Sequence, residues 1–263
     1  MKIRSWSYQK EYENYRDEIL ALIDEVFRSG RLILGESVEE FEEAFSSYCG
    51  SMYGIGVNSG TDALFLGLKA LGISGGDEVI TVSNTAVPTV SAIVSAGGIP
   101  RFVDVRPDTG LMNTDLLKQA FTSKTKCLLP VHLYGQCVNM GQVMKFAEEH
   151  GLSVLEDCAQ SAGALFQGKK SGVFGDIAAF SFYPTKILGG YGDGGMVITA
   201  KITLANQIRR LRMYGMEERY YSEEHGYNSR LDEVHAKILS FKLRYIEIYI
   251  ERRRRLAENY RQL

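Results

Sequence analysis

Three short runs of this sequence hold residue types that could act on a substrate together. In AAFSFYPTKILGGYGDGG an apolar run delivers Ser181, Phe182 and Tyr183 into a turn at Pro184, followed by Lys186 and a glycine-rich loop. A lysine desolvated in such a setting gives up its charge more readily and becomes a nucleophilic amine suited to a Schiff base; the plain alternative is a surface lysine. In SVLEDCAQSAGA an aliphatic run ends at Glu156 and Asp157, with Gln160 three residues on. A carboxylate at the end of a buried strand needs a partner, because an unpaired buried charge is expensive. A salt bridge or a helix cap meets that need as well as a catalytic role does. In NSGTDALFLGLKAL, Ser59, Gly60 and Thr61 stand where a strand gives way to a helix. Backbone N–H groups and the helix dipole there favour an anion such as phosphate, while Ser and Thr are also ordinary N-caps.

The elements that must position these residues follow from periodicity. Runs such as YGIGV, EVITV, PRFVDV, KCLLPV, SVLED, AAFSF and GMVIT alternate with helical stretches such as TDALFLGLKALG and NMGQVMKFAEEHG. Strands alternating with helices predict βαβ units and a mostly parallel sheet covered on both faces, a three-layer α/β sandwich. Ligands of such sheets collect beyond the carboxyl ends of the strands. Ahead of this region Tyr12 to Phe27 reads as an amphipathic helix stopped by Gly30, and Ser37 with Glu40 reads as a capping box for a second helix closed by Gly50. A tyrosine-rich polar stretch near 216–230 precedes one long helix from about Asp232 to the last residue, which looks cut off within the element. The division expected is residues 1–30 as a helical lead, 31–230 as the main domain and 231–263 as the start of a connecting helix.

Composition narrows the function classes. Thirty Lys and Arg against 32 Asp and Glu leave a net charge of −2, without the basic excess that phosphate-driven binding of nucleic acid demands. The run Arg252 to Arg255 is flanked by Glu251 and Glu258 and reads as a solvated helix face. No signal peptide or membrane-spanning run is expected. Cys49, Cys127, Cys137 and Cys158 lie far apart, with no zinc spacing, which fits a reducing cytoplasm.

The order of the three chemical runs matches what a pyridoxal phosphate enzyme requires: an anion site, a carboxylate for the pyridine nitrogen, and a lysine for the aldehyde. The sequence resembles the DegT/DnrJ/EryC1/StrS sugar aminotransferases, of the fold type I pyridoxal phosphate enzymes. The motifs that carry the resemblance are NSGTDAL at 58–64, GDEVI at 76–80, PVHLYGQ at 130–136, EDCAQSAGA at 156–164, SFYPTKILGGYGDGG at 181–195 and GYNSRLDEVHAKIL at 226–239. The resemblance implies that Lys186 carries the cofactor, Asp157 faces its pyridine nitrogen and Gln160 donates to its ring oxygen. It implies that Ser59, Gly60, Thr61 and Ser181 hold the phosphate, and that Asn228 reaches the phosphate of a neighbouring subunit in a homodimer. It further implies a nucleotide-linked keto sugar and an amino donor, L-glutamate, as substrates, and a smaller C-terminal domain that this chain lacks. Where many relatives place an aromatic residue over the cofactor ring, this chain has Ala86. The alternatives are another fold type I chemistry, as in a lyase or a dehydratase, and a non-catalytic regulatory protein that keeps the cofactor. Dehydratases of this kind replace the lysine by histidine, so Lys186 speaks against them.

Overall fold

In the computed structural model, which describes residues 7–218 and 220–262, the chain opens with helices α1 (Tyr8–Ser29) and α2 (Glu36–Cys49). Both stop at a glycine in the left-handed region, Gly30 at φ 70° and Gly50 at φ 86°. The alternation then runs β1 (Tyr53–Val57), α3 (Gly60–Ala70), β2 (Glu78–Val82), α4 (Val87–Ser95), β3 (Ile99–Val103), α5 (Leu117–Ala120), β4 (Thr125–Leu128), α6 (Met140–His150) and β5 (Ser153–Asp157). A small hairpin of β6 (Leu165–Phe166) and β7 (Lys169–Lys170) leads to β8 (Ile177–Ser181) and β9 (Gly195–Thr199). After α7 (Ile202–Leu211) come a second hairpin, β10 (Met216–Glu218) with β11 (Tyr221–Ser222), and the helices α8 (Glu233–Leu243) and α9 (Ile246–Arg261).

Seven strands form the main sheet in the order β1-β9-β8-β5-β4-β2-β3. Among the described residues β9 is the one strand of this sheet that runs against its neighbours; the others share one direction. Alternate residues of β8 and β9 face opposite sides. Ile177, Ala179 and Val197 join a core with Leu64, Leu68 and Ile93, while Ala178, Phe180, Met196 and Ile198 join a second core with Phe41 and Phe45. Helices therefore cover both faces, and the three-layer α/β expectation holds. In the second core Phe45 meets Phe180 and Phe182 edge-on at 5.0 and 5.1 Å. Burial of this completeness stabilises by roughly 2–3 kcal/mol per ring.

Two expectations are corrected. Ser37 and Glu40 form no capping box: α2 begins at Glu36 with Gly35 as its N-cap, two residues earlier than a Ser37 cap would place it, and its free N–H groups are taken by a carboxylate from elsewhere. Glu233 accepts from Gly35 N–H at 2.7 Å, Ser37 N–H at 2.9 Å and Val38 N–H at 3.1 Å. A full negative charge at that helix end satisfies three donors at once, more than a serine hydroxyl could. The helix drawn from Asp232 onward is two helices, broken at Tyr245 (φ −106°, ψ 2°). Neither Gly nor Pro marks the break. The Tyr245 ring packs against Tyr15 at 5.4 Å and Phe241 at 5.5 Å, so tertiary packing on α1 sets the change of direction.

Candidate active site

The reversal of β9 concentrates function at one edge of the sheet. The start of β9 lies beside the carboxyl ends of β1 and β8, with Gly195 opposite both Val57 and Ser181. The carboxyl end of β5 completes the edge with Asp157 opposite Ala179. There a cavity of about 270 Å3 is lined by Ser59, Gly60, Thr61, Asp157, Ser181 and Lys186. Six of the residues singled out in the sequence thus meet at one place. Ala86, at the start of α4, lines the same cavity.

The start of α3 forms one wall of it. Ser59 is the N-cap and its hydroxyl accepts from Asp62 N–H at 3.1 Å, so the capping reading of Ser59 is also true. The helix itself offers no carbonyl to the N–H groups of Gly60 and Thr61. Two glycines make the cradle possible. A Cβ on Gly60 would lie 2.6 Å from Cβ of Ser181, and one on Gly195 would lie 2.2 Å from the carbonyl oxygen of Ser59. The space a side chain would fill is left to the backbone donors and the Ser181 hydroxyl, which is the fit a phosphate group requires.

Asp157 and Lys186 supply the opposite chemistry. The Asp157 carboxylate is 4% exposed, accepts from Thr89 Oγ1 at 2.8 Å and Ala159 N–H at 3.1 Å, and has no ion-pair partner within 4 Å among the described residues. Burial raises its pKa, against the lowering by those hydrogen bonds and by the charge of Lys186. Burial also lowers the pKa of Lys186, against the pull of Asp157. A buried carboxylate lacking a cation and an amine prone to neutrality share one cavity, which suits a protonated pyridine nitrogen and an aldehyde respectively.

The neighbouring acid has a different task. Strand alternation turns Glu156 away from the cavity, where it accepts from Phe174 and Gly175 N–H groups at 2.8 Å each and from Gly172 N–H at 2.9 Å. His132 Nδ1 accepts from Val138 N–H at 3.1 Å, so its Nε2 carries the proton donated to Glu156 at 2.9 Å. The hydrogen bond from His132 and its backbone donors outweigh desolvation and lower the Glu156 pKa. Sequence reading missed both Thr89 and His132. Period-two alternation along SVLED was the available signal that only one of the two acids could face the site.

Gln160 and Asn228 stand apart from the other six. Gln160 lines a second cavity, of about 520 Å3, which adjoins the first at Lys186. Its carbonyl oxygen accepts from Tyr134 N–H at 3.3 Å, leaving the NH2 end as a donor. Asn228 lines neither cavity and is exposed. Beside it Ser229 donates to Asp62 at 2.7 Å and accepts from Asn58 N–H at 3.1 Å, so this segment packs against the start of α3.

The chain belongs to the DegT/DnrJ/EryC1/StrS aminotransferase family, which it matches over residues 13–263. It is 52% identical to a dTDP-3-amino-3,4,6-trideoxy-alpha-D-glucose transaminase of Micromonospora megalomicea, over 97% of this chain and 68% of that protein. It is 43% identical, over all of this chain and 71% of the other, to a pleiotropic regulatory protein of Geobacillus stearothermophilus. Among solved structures it superposes on S. venezuelae DesV, in complex with a ketimine intermediate, with a TM-score of 0.94 and 43% identity over 97% of this chain and 68% of that one. The chain thus spans about two thirds of the length of these relatives.

Proposed function

We propose that this chain is a pyridoxal 5′-phosphate-dependent aminotransferase that moves an amino group from L-glutamate to the keto group of a nucleotide-linked sugar, for amino-sugar biosynthesis. The observation that carries the reading is the placement of Lys186, Asp157 and the Gly60–Thr61 N–H pair around one cavity. Ser59, Gly60, Thr61 and Ser181 hold the phosphate, Asp157 faces the ring nitrogen, and Gln160 donates to the ring oxygen. When bound, the cofactor supplies a protonated ring that withdraws the electrons left as a proton departs from the substrate carbon. Asp157, short of a cation, keeps that ring nitrogen protonated. Lys186 Nζ, made less basic by burial, takes the proton from the α-carbon of the amino donor and returns it during transfer to the sugar.

The same reading makes the protein a homodimer with Asn228 directed at the phosphate of the second subunit, in keeping with its exposure and its absence from both cavities of its own subunit. A cytoplasmic location fits four free cysteines, and no helix among the described residues is long and apolar enough to cross a membrane. The name of the Geobacillus relative raises a regulatory alternative; an intact set of Lys186, Asp157 and Gln160 favours catalysis. Incubation with cofactor, glutamate and a panel of nucleotide-linked keto sugars, followed by mass detection, tests the proposal. Amino-sugar formation with 2-oxoglutarate release is expected. Cofactor binding with no turnover of glutamate would establish the regulatory reading instead.

A further inference from the structure

Helix α9 reaches the site through one close approach. Gly163 has φ 80°, and a Cβ there would lie 2.3 Å from Cδ1 of Ile250. Glycine at this position lets α9 lie directly against the turn that follows Asp157. From Ile250 the same helix face continues through Arg253, Arg254 and Ala257, at i, i+3, i+4 and i+7. These residues wall the cavity of about 520 Å3 that also holds Gln160 and Lys186. The charged groups lining it are Lys186, Arg253 and Arg254, with no carboxylate among them. Neither guanidinium has an ion-pair partner among the described residues, while Arg210 and Arg212 both do. The arginine run is solvated, as its sequence suggests, yet two of its members line the same cavity as Lys186.

We propose that Arg253 and Arg254 are the receptor for the diphosphate of the nucleotide-linked substrate. The inference rests on the aminotransferase reading above and specifies where its acceptor binds. Two adjacent guanidiniums present ten N–H donors in two rigid forks, by the general inventory of five each. That matches a group with two negative phosphates, whereas one fork suffices for one carboxylate. Position agrees with this. The carboxylate of an amino donor is bonded to the reacting carbon and must sit beside Lys186 Nζ. In a nucleotide-linked sugar the ring separates the keto carbon from the diphosphate, so its receptor belongs on a different element from the lysine, as α9 is. A cavity of this size lies within the range of about 300–1,000 Å3 usual for small-molecule sites.

Calorimetric titration of the cofactor-loaded chain with dTDP, UDP and glutarate tests the assignment. The variants are Arg253→Ala/Arg254→Ala, the shape-preserving Arg253→Gln/Arg254→Gln, and Arg255→Ala, which lies on the same helix outside the cavity. Circular dichroism checks that α9 persists. Nucleotide binding weakened about tenfold or more in both double variants, with glutarate binding and the Arg255→Ala protein unchanged, is the expected result. Unchanged nucleotide affinity in the double variants would overturn the receptor while leaving the aminotransferase reading intact. Loss of glutarate binding alone would assign the arginines to the amino donor and overturn the diphosphate. A parent protein that binds glutarate but neither nucleotide would overturn the sugar-nucleotide reading and the receptor with it.

Discussion

Thr89, in the first turn of α4, donates its hydroxyl proton to Asp157 at the carboxyl end of β5 across 2.8 Å. Thr85 lies 2.7 Å from Thr89 Oγ1, and since the Thr89 proton is committed to Asp157, Thr85 is the donor of that contact. The two hydroxyls form a directed chain that steadies a buried negative charge without neutralising it.

Replacing Thr89 by Val keeps the shape and removes the donor. The Asp157 carboxyl should then rise further in pKa, and a hydrogen bond to a charged group is worth about 1.5–3 kcal/mol. Single-turnover reaction with glutamate should slow by roughly 10–100-fold, with cofactor affinity little changed and Thr89→Ser close to the parent. A Thr89→Val protein as fast as the parent would remove Thr89 from the site.

Asp157→Asn keeps a hydrogen-bonding group but loses the negative charge. The half-reaction should slow by several orders of magnitude, because charge stabilisation of this kind is often worth ~3 kcal/mol or more. Stopped-flow absorbance reads the rate directly. A change under about threefold would make Asp157 a structural carboxylate.

Gly195→Ala tests the phosphate cradle. Its Cβ would press on the backbone carbonyl of Ser59, which cannot swing aside as a side chain could. The variant should lose about 1–3 kcal/mol of stability and bind pyridoxal phosphate more weakly, while pyridoxal without phosphate binds as it does to the parent. Equal loss for both ligands would show a general distortion of the site and no phosphate cradle.

The contact of His235 with Asp232, at 2.7 Å, gives a pH signature. The hydrogen bond to Asp232 raises the His235 pKa above 6.5, so its contribution is full below 6.5 and fades as pH climbs through the raised value. Asp232 is lowered below 3.8, chiefly by the same hydrogen bond against desolvation, so its contribution is full above 3.8 and fades as pH falls through the lowered value. Denaturant unfolding should therefore show His235→Gln more destabilising near pH 5.5 than near pH 9. The reverse order would mean that the charged pair adds nothing to the fold.

Much of the fold was legible because its signals are local. Each β-rich run became a strand, and Gly30 and Gly50 close their helices in the left-handed region that the sequence suggested. What escaped depends on distant contacts. Glu233 caps a helix that begins nearly two hundred positions earlier, and Tyr245 breaks a helix where its ring meets Tyr15 of α1. Within the site, Lys186, Asp157 and the Ser59–Thr61 turn were readable as residue types at strand ends. Thr89 was not, since its value arises only when α4 lies across the end of β5. Arg253 and Arg254 read as solvent-facing because nothing local shows that Gly163 draws their helix onto the cavity.

The most direct test of the account is covalent trapping. Treating the cofactor-loaded chain with borohydride and mapping its peptides by mass should place the pyridoxyl group on Lys186 alone, with no label in Lys186→Ala protein that still folds. Label on another lysine, or undiminished label in the variant, would contradict the assignment on which the proposed chemistry stands.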